Sequence, residues 1–228
     1  MYRNPTDIYR CGLELLSHDN KLKGYLRVQE LISNSKPINE IGGLAFYDNI
    51  YSVINEIKKL ENFVPKIGLL INGSKIDEHK SKSKFSEYFK DLDYDVKSYL
   101  RVKGLEYDLV ILKDFWDFLF YYKNNFSFLY RMVYMIISRG KLGVFIPYPQ
   151  FINDEELEKI YSILLSHSKN QNFVDLINEL NSCLINNIEK NNKVNEFKIS
   201  MDVDRLNFGY KMIEIITNVI SFLSKMNF

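Results

Sequence analysis

The chain has 228 residues, a mass of 27.0 kDa, and 30 Lys+Arg against 29 Asp+Glu, for a net charge of +1. That length accommodates one large domain, or a domain with a small appendage, and buries roughly 70% of the unfolded surface without help from disulfides or structural metals. The balanced charge excludes a globally basic nucleic-acid coat and leaves room for a local basic groove.

In chain order, Asn4 and Pro5 read as N-cap and first helical position of a helix to Leu16, with Ile8, Leu13, Leu15 and Leu16 as its apolar positions. Ile41 to Tyr47 is a short apolar run with strand character. Asp48 is expected to cap a helix to about Leu60, whose Ile50, Val53, Ile54 and Ile57 share one face. After Pro65, the run from Lys66 to Ile71 is apolar on both faces, as in strands of parallel sheets covered on two sides. The charged, Ser-rich stretch Lys75 to Lys84 reads as an exposed loop, Phe85 to Leu92 as a short helix and Asp95 to Tyr99 as a strand. Leu109 to Leu112 is a further buried strand, followed by aromatic-rich helices over Asp114 to Tyr122 and Phe126 to Ile137. Leu142 to Ile146 is the last strand before Pro147 and Pro149.

Strands alternating with helices predict an α/β fold, a doubly wound and mostly parallel sheet with helices on both faces. Beyond Pro149 the pattern is helical only, over Asp154 to Ser166, Phe173 to Glu189 and Leu206 to Met226. The expected division is a domain over residues 1–149 and a helical C-terminal extension over 150–228.

Other classes of site are poorly represented. Cys11 and Cys183 form no CxxC pair, and His18, His79 and His167 have no metal-ligand spacing. The N-terminus lacks the apolar core of a signal peptide, and the stretch Met212 to Leu223 is too short and too interrupted to span a bilayer. The expectation is a cytoplasmic protein with no metal site of its own and no membrane partner.

Three segments stand out together: Tyr2-Arg3-Asn4-Pro5 before a helix; Lys103-Gly104-Leu105-Glu106-Tyr107-Asp108 before the strand LVIL; and Tyr134-Met-Ile-Ile-Ser138-Arg139-Gly140-Lys141, a helix end followed by a strand. Each has an ordinary structural reading, with Arg3 at the surface, Lys103-Gly104 in a turn, and Arg139-Gly140 as a helix stop. A nucleotide site would use the same residue types. Guanidinium groups stabilise charge on transferring phosphoryl oxygens, a glycine lets backbone approach a ligand, and a carboxylate can accept from a ribose hydroxyl.

The order and spacing of these segments resemble the second RecA-like domain of superfamily 1 helicases of the UvrD/Rep type, over residues 1–148. In that family a YRS or YRN segment opens a helix, KGLEFD precedes a hydrophobic strand, and a TRA or SRA segment ends a later helix. The resemblance implies that Tyr2 stacks on adenine, Arg3 reaches the γ-phosphate, Glu106 holds the ribose beside Gly104, and Arg139 is an arginine finger. Such a finger contributes roughly three to five decades of turnover in NTPases. Ser98 falls where the family has a Thr that touches the DNA backbone. Three departures stand against this: Leu100 where the family often has His, Gly140 where it has Ala, and Phe126-Ser-Phe-Leu where acidic residues usually precede the last motif. The glycine is expected to loosen the placement of Arg139.

No GxxxxGK[ST] P-loop and no acidic pair after an early strand are found. The resemblance therefore implies half of a shared ATP site, with Mg2+ expected on a P-loop half supplied by another segment or chain. The implied partners are that half and single-stranded or partly duplex DNA. The start at Met1, just before the first motif, is read as favouring a truncated or split helicase over a natural subunit. Tyr99, Trp116 and Phe120 are possible base-stacking residues whose ordinary role is core. Two alternatives stay open: a non-catalytic RecA-like scaffold binding protein or nucleic acid, and an unrelated α/β nucleotide-binding protein.

Overall fold

The computed structural model describes residues 5–19, 42–61, 63–168 and 172–183. Among them the elements are α1 (Thr6–Ser17), β1 (Gly43–Tyr47), α2 (Ile50–Ile57), β2 (Ile67–Ile71), α3 (Lys75–Phe85), β3 (Tyr94–Ser98), a 3-10 turn (Tyr99–Arg101), β4 (Tyr107–Lys113), α4 (Phe115–Tyr121), α5 (Phe126–Ile137), β5 (Gly140–Pro147), α6 (Glu155–Ser166) and α7 (residues 173–183). The expected helix over Leu206 to Met226 lies outside the described residues, as does the end of the one beginning at Phe173.

The five strands form one sheet in the order β1-β5-β4-β2-β3, and every pairing is parallel. Alternation along the strands divides the core in two. Phe46, Leu70, Val110, Leu112, Val144 and Ile146 face one side and pack with α1, α4, α5 and α6. Ala45, Leu69, Val96, Leu109, Ile111 and Phe145 face the other and pack with α2, the end of α3 and α7. Both faces are covered, which is why the strands read as nearly continuous apolar runs. The helices after Pro149 belong to this packing: Leu157, Ile160 and Leu164 enter the first layer, and Leu176, Ile177 and Leu180 the second.

Lys75 to Lys84, expected as a loop, is helix α3. The Ser74 and Asp77 side chains form a capping box, with Ser74 N–H donating to Asp77 Oδ2 over 2.8 Å. Acidic Asp77 and Glu78 lie in its first turn, and Lys82 and Lys84 in its last, as the helix dipole favours. Glu78 and Phe85 alone are buried, so the apolar stripe that marks most helices is missing. The short helix expected over Phe85 to Leu92 is instead a series of turns passing through Asp91 at φ 70°. Smaller shifts concern caps: Asn49, not Asp48, caps α2 by accepting from Tyr51 N–H, and Pro5 precedes the first helical residue, Thr6.

Candidate functional site

Strand β3 ends at the carboxyl edge of the sheet, yet β4 begins at the amino edge, so residues 99–106 must run back along the sheet. Tyr99 and Val102 anchor this return by burying in the first layer, and the Tyr99 hydroxyl donates to Lys113 O over 2.7 Å. Leu105 N–H bonds to Val102 O, closing a turn whose Gly104 sits at φ 81°. A side chain there would be strained, although nothing lies within 4 Å of where its Cβ would stand. The main chain of Gly104 is therefore open to approach.

The Lys103-Gly104-Leu105-Glu106-Tyr107-Asp108 segment divides its labour by position. The Tyr107 ring lies across Gly68 of β2, where a Cβ would come within 2.5 Å of it, and its hydroxyl reaches Asp95 of β3 at 3.4 Å. Burial chiefly, with the nearby charge and hydrogen bond of Asp95, raises this phenol above its ordinary range. Asp108 Oδ2 accepts from Lys66 N–H over 2.9 Å, tying β4 to the residue before β2. Lys103, Gly104 and Glu106 remain exposed.

Arg139 meets this segment from α5. Its main-chain carbonyl accepts from Tyr107 N–H at 3.0 Å, the first bond between the β4 and β5 entries. Its guanidinium donates from Nε to Met135 O at 2.9 Å, from Nη1 to Leu105 O at 3.1 Å and from Nη2 to Ser138 Oγ at 3.0 Å. Two residues on, Lys141 Nζ stands 3.3 Å from Glu106 Oε2. Gly140, expected to loosen the placement of Arg139, sits where there is no room for a side chain. A Cβ at Gly140 would lie 2.7 Å from Gly143 O and from a Val144 methyl, so the glycine permits a close turn into β5.

Gly104, Glu106 and Arg139 thus gather at the amino edge of β4 and β5, with Lys141 beside them. The start of α1 lies at the same edge over β1 and β5: Pro5 packs against Gly42 beside the Leu142 carbonyl, and Asp7 lies by Gly43. Tyr2 and Arg3 fall outside the described residues. Ser98 stands apart. It ends β3 at the carboxyl edge, level with Ile71 and Lys113, six residues along β4 from Tyr107 and so about 20 Å away. It is only 3% exposed.

What holds Ser98 is not legible in the sequence. Glu78, inside the stretch expected as a loop, is buried and accepts from Ser98 N–H at 2.8 Å through Oε1 and from Arg101 Nη1 at 2.8 Å through Oε2. A charged residue in a charged run carries no pattern that signals burial. Of the possible stacking residues, Tyr99 is fully buried. Trp116 is half-buried, with Nε1 donating to Pro147 O at 2.7 Å. Phe120 is exposed under Lys123, whose Nζ is 4.1 Å from the ring centre.

Among the described residues no cluster of three or more His, Cys, Asp or Glu side chains is disposed to hold a metal ion, and no helix is long and apolar enough to cross a membrane. No protein-family model matches the chain, and no curated protein is significantly similar to it. Among solved structures it is similar to the C-terminal domain of a possible DNA helicase from Lactobacillus plantarum WCFS1, at 12% identity and a TM-score of 0.41, over 72% of this chain and 96% of that one.

Proposed function

We propose that this chain is the second RecA-like motor half of a UvrD-type, ATP-dependent DNA helicase, completed by a P-loop domain on another segment or chain. One observation carries the reading: two motifs distant in sequence are joined at one sheet edge, where Arg139 Nη1 bonds to Leu105 O and Glu106 pairs with Lys141. The residues fit half of a nucleotide site. Lys103, Arg139 and Lys141 supply positive charge, Glu106 supplies an acceptor, and the bare main chain at Gly104 permits close approach. Bound ATP would supply the phosphoryl chemistry, with its magnesium held by the P-loop half.

In the free chain Arg139 bonds to Met135 O, Leu105 O and Ser138 Oγ. To reach a phosphate, its guanidinium exchanges the Leu105 and Ser138 partners for anionic oxygens, a gain because charge-assisted bonds are the stronger ones. Glu106 can exchange Lys141 for a ribose hydroxyl in the same way. DNA-stimulated ATPase on mixing the chain with a cognate P-loop half tests the proposal. Activity that is absent, or that Arg139→Ala leaves at full turnover, rejects it.

A second reading, a non-catalytic scaffold, is favoured by the number of structural bonds these motifs already make. Asp108 ties β4 to Lys66, and the Arg139 side chain closes the end of α5. On that reading Arg139→Ala loses stability and nothing else.

A further inference from the structure

A second concave region lies at the opposite, carboxyl edge of the sheet, where α4 leaves β4 and the chain leaves β5. Two adjoining lobes of about 330 and 240 Å³ share Trp116, Asp117 and Phe151 as their common wall. Asp114 and Tyr148 line the first lobe, and Phe120 the second. Phe151 is 79% exposed and Phe120 48%, so apolar rings stand in solvent around a carboxylate.

Three features define what this groove accepts. The Asp117 carboxylate has no hydrogen bond or ion pair with any described residue, whereas that of Asp114 pairs with Lys113. The indole of Trp116 is fixed by its bond to Pro147 O and by edge contacts with Phe115 and Tyr161, so the wall is rigid. The faces of these rings already attract cations, since Lys123 Nζ lies over Phe120 at 4.1 Å. Carboxylates at the rim repel phosphodiesters, which argues against the nucleic-acid stacking role that Trp116 and Phe120 suggest in the sequence.

We infer that this groove is a docking site for an arginine-bearing segment of a partner protein, with a guanidinium stacked on Phe151 or Phe120 and paired with Asp117. Arginine suits it better than lysine, because its planar group stacks on a ring and pairs with a carboxylate at the same time. The inference does not depend on the helicase reading, since it uses the other edge of the sheet.

Trp116 is the only tryptophan in the chain and lines both lobes, so its fluorescence reports on this site directly. The full-length protein is titrated with short Gly/Ser peptides carrying arginines, lysines or glutamates, and with a thymidine oligonucleotide. The expected result is a saturable change with the arginine peptide, weaker with lysine and absent with glutamate or the oligonucleotide. Asp117→Asn should weaken the arginine peptide by about tenfold or more, as for a lost charged hydrogen bond. Both Asp117 and Phe151 are exposed, so Asp117→Asn and Phe151→Ala are expected to keep the fold, checked by an unchanged circular dichroism spectrum. No saturable change with the arginine peptide, or binding that Asp117→Asn and Phe151→Ala both leave untouched, overturns the inference. Tighter binding of the oligonucleotide than of the arginine peptide overturns it in favour of a nucleic-acid site.

Discussion

The guanidinium of Arg139 donates to the carbonyl of Leu105 across 3.1 Å, while Tyr107 N–H donates to the carbonyl of Arg139 across 3.0 Å. Two segments more than thirty residues apart are thereby cross-linked through both side chain and main chain at the point where β4 and β5 enter the sheet. Arg139→Ala removes the side-chain link but keeps the main-chain one. Net hydrogen-bond contributions put the loss at about 1–2 kcal/mol, reduced by the partial exposure of the group. Urea denaturation measures it, and Arg139→Lys should recover little, because one ammonium cannot span the same acceptors.

The close passage of Tyr107 over Gly68 makes a sharper prediction. A methyl at residue 68 would sit 2.5 Å from the ring, inside van der Waals contact. Gly68→Ala should therefore cost about 1–3 kcal/mol as the ring is driven from Asp95. In a Tyr107→Ala background the same substitution should cost almost nothing. A double-mutant cycle isolates that coupling, and additive effects would refute the steric account.

Glu78 predicts a cost at the opposite edge. Its carboxylate accepts from Ser98 N–H and from Arg101. Glu78→Ala leaves the Ser98 N–H buried without its acceptor and should lose about 2–3 kcal/mol. Glu78→Gln keeps an acceptor for that N–H and should lose less. Amide exchange at Ser98 should be slow in the native protein and should accelerate in Glu78→Ala ahead of global unfolding.

How far the sequence reveals all this depends on which interactions are local. The strands announce themselves because a sheet covered on both faces must be apolar on both, and IGLLI and LVIL are short apolar runs of strand length bounded by turns. Helix α3 is hidden because almost none of it is buried; its signal lies in the Ser74-Asp77 cap rather than in a stripe. The meeting of Gly104, Glu106 and Arg139 is legible only through a resemblance of motifs, since spacing along the chain says nothing about which strands become neighbours. The grip of Glu78 on Ser98, and the groove between residues 114–117 and 147–151, depend on tertiary proximity and leave no local trace.

Four buried tyrosines make the fold sensitive to alkaline pH. Burial is the largest influence on Tyr47, Tyr99, Tyr107 and Tyr130, and it raises each phenol above the ordinary value of 10.0. Nearby carboxylates add to the effect, Asp114 at Tyr47 and Glu156 at Tyr130. The folded state holds these protons more tightly than the unfolded chain does. Their contribution to stability is complete below pH 10.0 and is lost as pH rises from there toward the raised folded values. Tyrosinate absorbance should therefore rise in two phases, exposed phenols first and these four together with loss of circular dichroism. A single phase at the ordinary value would show that the four phenols are open to solvent.

The half-site reading makes its own demand of the isolated chain. The open main chain at Gly104 and the cations around Glu106 present one wall, with no P-loop to wrap the phosphates. Calorimetry with ATP and magnesium should give little or no heat from the chain alone, and measurable binding once a P-loop half is added. Gly104→Ala tests the wall itself. Because the position lies at φ 81° in open space, the substitution should cost only about 1 kcal/mol of stability through strain. It should nevertheless weaken ATP binding in the reconstituted pair, where main-chain approach matters. Tight magnesium-dependent binding by the chain alone would mean that the site is complete within it, contradicting the shared-site proposal.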